Sequence, residues 1–336
     1  MTLHFREGPH AYDITIARGA LSLASGLFSL KRKVLVVTGD GVPQAYSQAI
    51  LVQCSEGFLL SLPDGEDHKT LASVELILEA LMAHGFTRSD AIVAVGGGVV
   101  GDTAGFAAAC YMRGIDWYNV PTTLLSQADS SVGGKTGVNF HGIKNLVGAF
   151  KQPAGVLIDP DTLDTLSPRL FAEGLAEIVK MAATGDASLF RLLENTADPR
   201  QAMEEILAAA LSIKIAVVEA DPHESGLRAV LNFGHTIGHA VESAGKGKYY
   251  HGEAVAIGML YMSYGEAAVR IEALLKKFGL PTKDPFSTDE LMAFAAHDKK
   301  QRGGIFKLVK VKEIGSFIFE SAEPGELRSI IQARKI

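Results

Sequence analysis

Short β-branched runs alternate with helical stretches from Lys33 to about Pro160, and after Leu166 the alternation stops. Strand character falls at 34–37, 58–62, 91–95, 117–120 and 156–158, and helical character at 70–84 and 99–110. Strands interleaved with helices build an open, mostly parallel sheet, because parallel neighbours need a crossover long enough to hold a helix. The later part carries long apolar-periodic segments at 169–183, 202–219, 228–244 and 253–269, with strand character only at 306–311 and 316–320. That periodicity is helical. We therefore expect an N-terminal open α/β domain over 1–160 and a mainly helical domain over 161–336, joined near 159–167, where Pro160 and Pro168 bracket a short polar stretch. A cleft between two such domains is a favoured place for a cofactor and a small substrate.

A formal charge of -6 weighs against nucleic acid as the main partner, since neutralising phosphates needs a basic surface. An anionic substrate must then be met by a local cluster of cations. No signal-peptide pattern opens the chain, where His4, Arg6 and Glu7 stand with no apolar run behind them. The longest apolar stretch, 91–110, is interrupted by Gly96, Gly97, Gly98, Gly101 and Asp102 and does not read as a membrane span, so a cytoplasmic protein is expected. Cys54 and Cys110 lack metal-type spacing and are expected to be reduced and inert.

Three of the ten histidines are concentrated in Asn232-Phe233-Gly234-His235-Thr236-Ile237-Gly238-His239 and the following His251-Gly252-Glu253. His235 and His239 stand at i, i+4, on one helical face, and His251 opens the next apolar helix. Two helices joined by the 245–250 loop can aim these rings at one point, where neutral imidazole suits zinc or a related divalent ion. An open catalytic site still needs a carboxylate. The competing reading makes His235 and His239 polar residues on a glycine-rich helix and His251 an N-terminal cap.

Gly96-Gly97-Gly98-Val99-Val100-Gly101-Asp102 follows a strand and opens a helix, so unobstructed backbone amides would face a pyrophosphate at a positive helix end. Its spacing is not G-x-G-x-x-G, and a tight strand-to-helix turn is the plainer reading. Asp64-Gly65-Glu66 with Lys69, and Thr122-Thr123, also lie just past strands, where carboxylates can accept from ribose hydroxyls and Lys69 can reach phosphate. Asp129-Ser130-Ser131-Val132-Gly133-Gly134-Lys135-Thr136 is not a P-loop, because Asp129 stands where the first glycine belongs. It reads instead as a glycine-rich hairpin or loop that projects Lys135 and, farther on, Lys144 and Asn145. Arg113, Lys180, Lys214, Arg228, Lys299 and Lys300 are further cations; singly each suits a solvated surface, jointly they suit a substrate with more than one negative group.

The ordered motifs Gly-Gly-Gly-Val-Val-Gly-Asp, Tyr-Met-Arg-Gly, Val-Pro-Thr-Thr-Leu-Leu, Asp-Ser-Ser-Val-Gly-Gly-Lys-Thr-Gly, Gly-Leu-Ala-Glu-Ile-Val-Lys, Asn-Phe-Gly-His-Thr-Ile-Gly-His and His-Gly-Glu-Ala-Val-Ala-Ile-Gly-Met resemble the 3-dehydroquinate synthases of the shikimate pathway, from about Lys33 to Lys300. The resemblance implies a dinucleotide-binding N-terminal domain and a metal-binding C-terminal one. It supplies the missing carboxylate, with Glu177 as the third ligand of zinc or cobalt beside His235 and His251, and His239 near the substrate instead. It implies NAD contacts from Asp40, from Asp64, Gly65, Glu66, Asp67, His68 and Lys69, and from Gly98, Val99, Val100, Gly101 and Asp102. Thr122, Thr123, Lys135, Lys144, Thr162, Leu163, Asp164 and Thr165 complete that set. Substrate contacts are implied for Arg113, Asp129, Lys135, Asn145, Lys180, Lys214, Glu224, Arg228, Asn232 and His239, with Arg113 coming from the partner in a homodimer.

The activity implied is conversion of a sugar phosphate, 3-deoxy-D-arabino-heptulosonate 7-phosphate, into 3-dehydroquinate and phosphate, with NAD reduced and reoxidised within one turnover. The chain departs from the family's usual pattern at Leu170, at Ile143 and at Pro222-His223, none of them an implied ligand or cation. A related sugar phosphate cyclase and a metal-dependent, NAD-linked polyol dehydrogenase are the alternatives. The latter would need no doubly anionic pocket.

Overall fold

A computed structural model of the chain describes residues 1–224, 226–299 and 304–335. Lys300 lies outside them, as does the side chain of Lys299. The chain divides into two compact units, Met1–Ser167 with Met203–Leu211, and Pro168–Ala202 with Ser212–Ile336. In sequence the first division falls after Ser167. The reason is local: the buried Asp159 carboxylate accepts from the amides of Gly19, Leu21 and Asp161, and Gln127 Nε2 donates to Thr162 Oγ1 at 2.9 Å, which ties the 3-10 segment Pro160–Thr165 to the first unit.

The first unit is built on β1 (Thr2–Glu7), β2 (His10–Ile16), β3 (Lys33–Gly39), β4 (Glu56–Leu62), β5 (Ala91–Gly96), β6 (Asp116–Pro121), β7 (Lys135–Phe140), β8 (Ile143–Phe150) and β9 (Gly155–Ile158). Its helices are α1 (Ala24–Leu27), α2 (Gln44–Leu51), α3 (Leu71–Ala83) and α4 (Gly98–Cys110). Seven strands form one sheet in the order β1-β2-β9-β6-β5-β3-β4, parallel except for the β1–β2 pair, and β7 and β8 form a separate hairpin. Alternate residues of one strand enter opposite cores: Leu35 and Val37 pack with Ile77 and Ala104 on one face, Val34 and Val36 with Ile50 and Leu21 on the other. A sheet covered on both faces has no solvated side, and so β5 is buried along its whole length and reads as an unbroken apolar run. The β1–β2 hairpin lies outside the strands read from the sequence.

The second unit holds α5 (Pro168–Gly185), α6 (Ala187–Asn195), α8 (His235–Gly245), α9 (His251–Tyr261), α10 (Gly265–Lys277), α11 (Thr288–Lys299), α12 (Pro324–Lys335) and the antiparallel pair β10 (Phe306–Lys310) and β11 (Ile318–Ala322); α7 (Met203–Ala220) contributes its later half. Two expected helices are broken. The 228–244 segment is a 3-10 turn, Leu227–Asn232, that halts at Gly234 (φ 80°) before α8 begins. The 253–269 segment splits between α9 and α10, where Ser263 bridges to Val311 and the Tyr264 amide donates to the Val311 carbonyl. The last strand starts at Ile318 and not at Ser316, whose hydroxyl is bonded to the Glu313 carbonyl.

Among the described residues no helix is long and apolar enough to cross a membrane. Both cysteines are free, and burial pushes the Cys54 thiol up to about 11, so its thiolate is scarce at neutral pH.

Candidate metal centre

Three helices of the second unit meet at a buried carboxylate. Glu177, on α5, is fully buried; its Oε2 is in ion-pair contact with Lys180 Nζ one turn on, and neither oxygen has a hydrogen bond of good geometry. Oε1 faces His235 Nε2 at 3.9 Å and His251 Nε2 at 3.7 Å. These separations are too long for hydrogen bonds. They are near the roughly 3.4 Å expected between two donors each about 2.1 Å from a tetrahedral ion. Ligand atoms of Glu177, His235 and His251 all lie within 4.8 Å of one another, the one such group among the described residues. A buried carboxylate oxygen without a hydrogen bond is costly unless a cation answers it, and the donor set of one carboxylate and two imidazoles suits zinc or a related divalent ion.

The imidazoles are held from behind. His235 Nδ1 lies 3.2 Å from the Phe233 carbonyl, a contact only an Nδ1–H can satisfy, which leaves the Nε2 lone pair toward Glu177. Burial, then the Lys180 charge and the neighbouring histidines, hold the His235 pKa well below its usual range, so the ring is neutral as a ligand must be. His251 Nδ1 lies 3.2 Å from Glu242 Oε2; burial alone would lower its pKa, but the Glu242 hydrogen bond and the Glu177 and Glu242 charges outweigh it and raise it. His239, one turn beyond His235, is exposed, with its ring centroid 5.3 Å from that of His235 and 5.9 Å from that of His251.

Close helix packing makes this convergence possible. A Cβ on Gly258 would lie 1.9 Å from the Gly234 carbonyl oxygen, and one on Gly252 would lie 2.1 Å from the Glu173 carbonyl oxygen. Both obstacles are backbone, so at these two positions α9 comes closer to the Gly234 and Glu173 main chain than any side chain on it would allow. The start of α9 is further clamped by Arg169, which donates to both Glu253 oxygens at 2.7 Å and to the Lys248 carbonyl, and covers the Tyr250 ring at 4.1 Å. The sequence alone singles out neither Glu242 nor the Arg169–Glu253 clamp. The signal for Glu242 was its spacing, since His235, His239 and Glu242 follow i, i+4, i+7 along one helical face.

In the first unit, β3 leads to β4 on one side while β5 lies on the other, so the strand order reverses between β3 and β5. Ligands of open α/β sheets bind at such a switch point, beyond the carboxyl ends of the strands. Asp40 and the Gly96-Gly97-Gly98 turn stand there. Asp40 Oδ1 accepts from the Asp64 amide at 2.8 Å, Thr122 is buried with its amide on the Gly96 carbonyl, and Thr123 shares hydrogen bonds with Ser126. Gly97 packs against Thr123, where a Cβ would meet the threonine methyl at 3.1 Å. Lys69 is buried, with Nζ donating to Asp102 Oδ2 at 2.6 Å and to Asn145 Oδ1 at 2.5 Å. That network joins Asn145, a residue of the implied substrate set, to two of the implied NAD set. Asn145 sits at φ 52°, a left-handed position that asparagine tolerates, near the turn of the β7–β8 hairpin next to the exposed Lys144, while the exposed Lys135 pairs with Phe150 at the hairpin's other end. Asp129 lies on a π-helical turn, Ser126–Ser130, and Arg113 is exposed at φ 68°. The Thr162 hydroxyl is occupied within the unit, donating to the Asp159 carbonyl and accepting from Gln127.

Three of the candidate cations in the second unit are internal. Lys180, Lys214 and Arg228 are buried, and Arg228 Nη1 donates to the Pro222 carbonyl at 2.6 Å while its amide is held by Asp221. Asn232 Nδ2 donates to Glu224 Oε1 at 2.8 Å.

The fold is that of the sugar phosphate cyclases. A crystal structure of 2-deoxy-scyllo-inosose synthase complexed with carbaglucose-6-phosphate, NAD+ and Co2+ superposes with a TM-score of 0.88 at 27% identity, covering 99% of this chain and 100% of that one. A 2-epi-5-epi-valiolone synthase from Streptomyces hygroscopicus with NAD+ and Zn2+ bound gives 0.88 at 28% identity, covering 97% of each. The family model for the 3-dehydroquinate synthase N-terminal part matches residues 59–173, and that for the C-terminal part matches 174–301. A 3-dehydroquinate synthase of Enterococcus faecalis is 44% identical over 96% of each chain. The chain belongs to the 3-dehydroquinate synthase family, and it is an enzyme with that family's activity.

Proposed function

We propose that the chain converts 3-deoxy-D-arabino-heptulosonate 7-phosphate into 3-dehydroquinate and inorganic phosphate in the cytoplasm, as a homodimer, with NAD and a divalent ion as cofactors. The observation that carries this reading is the buried Glu177 carboxylate, whose Oε1 faces the Nε2 atoms of His235 and His251. Zinc or cobalt held by these three residues would supply Lewis acidity that lowers the pKa of a substrate hydroxyl. NAD, held in the N-terminal domain by Asp40, the 64–69 and 98–102 segments, Thr122, Thr123, Lys135, Lys144 and 162–165, would supply a hydride acceptor that is restored within the turnover.

The chain's own groups bind and orient the sugar. Lys180 sets a positive charge against Glu177 and lessens the net charge of the ligand set. Lys135, Asn145, Arg113 from the partner subunit and His239 are the candidates for the phosphate, and Lys214, Arg228 and Asn232 for the carboxylate, with Asp129 and Glu224 also in the substrate set. Arg228 is buried, with Nη1 on the Pro222 carbonyl and its backbone amide on Asp221, which holds the guanidinium in one orientation. The substrate's phosphate can act as the base for its own elimination, which lowers the demand on His239. Holding the opened intermediate in one conformation favours the intramolecular aldol closure.

Phosphate release from the heptulosonate phosphate, measured with NAD before and after chelation, tests the reading. Release without net NADH, abolished by the chelator and restored by zinc or cobalt, is expected. Net NADH accumulation with a polyol would instead favour a dehydrogenase. Arg228→Ala should raise KM by about ten- to a hundredfold, the worth of a charge-assisted hydrogen bond, while metal and NAD binding stay at wild-type strength. An unchanged KM would remove Arg228 from the substrate set.

A further inference from the structure

We infer that Glu242 is a positioning residue for the metal centre, which fixes the tautomer and aim of His251 without touching the ion; the inference rests on the metal reading proposed above. Three observations converge on it. Glu242 Oε2 lies 3.2 Å from His251 Nδ1, while the other ring nitrogen, Nε2, lies 3.7 Å from Glu177 Oε1. Carboxylate, imidazole and the ligand position are therefore strung in one line of contacts. The Glu242 side chain is only 16% exposed, so this is not a solvated surface pair of the kind that contributes little. His235 meets the same requirement differently, through the Phe233 carbonyl at 3.2 Å.

The chemistry follows from the inventory of an imidazole. A ring whose Nδ1–H donates to a carboxylate presents a lone pair at Nε2 and cannot rotate away without breaking that hydrogen bond. The negative charge behind the ring also makes Nε2 a stronger donor than a carbonyl-backed imidazole. The two histidines are thus unequal, with His251 backed by charge and His235 by a dipole. Glu242 reaches His251 across the 245–250 loop. A single side chain at the far end of α8 therefore governs the first residue of α9.

Zinc affinity measured by competition with a chromophoric chelator, on the wild-type chain and on Glu242→Ala and Glu242→Gln, tests this. Removing the carboxylate should weaken zinc binding by up to about a hundredfold in the alanine variant and by about tenfold in the glutamine variant, which keeps an acceptor but no charge. The visible absorption of the cobalt-loaded protein should shift in both, a change that a loss of general stability would not produce. The melting temperature of the metal-free proteins reports folding separately. Wild-type zinc affinity and an unshifted cobalt spectrum in the alanine variant would overturn the inference. Should that variant not fold, the same result in the glutamine variant would overturn it. A wild-type chain that binds no zinc would instead sink the metal reading itself.

Discussion

His235→Ala is expected to lose bound metal and phosphate-release activity together. The residue opens α8 with its Nε2 facing Glu177, and among the described residues no other group of three potential donors lies as close together as Glu177, His235 and His251. Loss of a Lewis acid that stabilises developing charge by several kcal/mol corresponds to roughly a thousandfold or more in rate. Metal analysis of the purified variant beside its turnover decides the matter. Full zinc occupancy in His235→Ala would refute the ligand assignment, and full activity without metal would refute the Lewis-acid role.

Gly258→Ala should be nearly as damaging, although the position carries no functional group. Its added methyl would lie 1.9 Å from the Gly234 carbonyl oxygen and 2.7 Å from the Gly238 amide, and backbone atoms cannot rotate aside as a side chain can. The helices must part. Overpacking of this kind costs about 3 kcal/mol or more, and it falls on α8 and α9, the two helices that begin with His235 and His251. The expected result is a melting temperature lower by several degrees together with weakened zinc binding. Gly325→Ala serves as the control, because a Cβ there meets open space at the start of α12, and it should leave both unchanged or slightly improve stability. A Gly258 variant as stable and as metal-avid as the wild type would show that α8 and α9 need not be so close.

Much of this was legible in the residues. Alternating strands and helices reveal a parallel sheet because crossovers impose the alternation, and the clustering of His235, His239 and His251 points to a candidate metal site because helical spacing puts the first two on one face and the third opens the next helix. The third candidate donor is hidden for a physical reason: Glu177 sits on a different helix, and nothing in the local spacing of α5 separates it from an ordinary helical glutamate, so only the resemblance to the synthase family points to it. Two helix breaks were hidden as well. Gly234 and Ser263 interrupt segments whose apolar periodicity runs straight through, and what stops them is tertiary, a backbone-to-backbone approach at the first and the bridge to Val311 at the second. The β1–β2 hairpin, with its exposed and partly polar faces, lacks the apolar density by which the interior strands announce themselves.

The glycines under the metal centre also bear on how such a chain can change over evolutionary time. Donor atoms can be exchanged for other donors in principle, but Gly234, Gly252 and Gly258 sit where neighbouring main chain leaves space for a proton alone. Drift is therefore blocked at residues that possess no reactivity. The inheritance of this centre depends as much on vacancy as on chemistry.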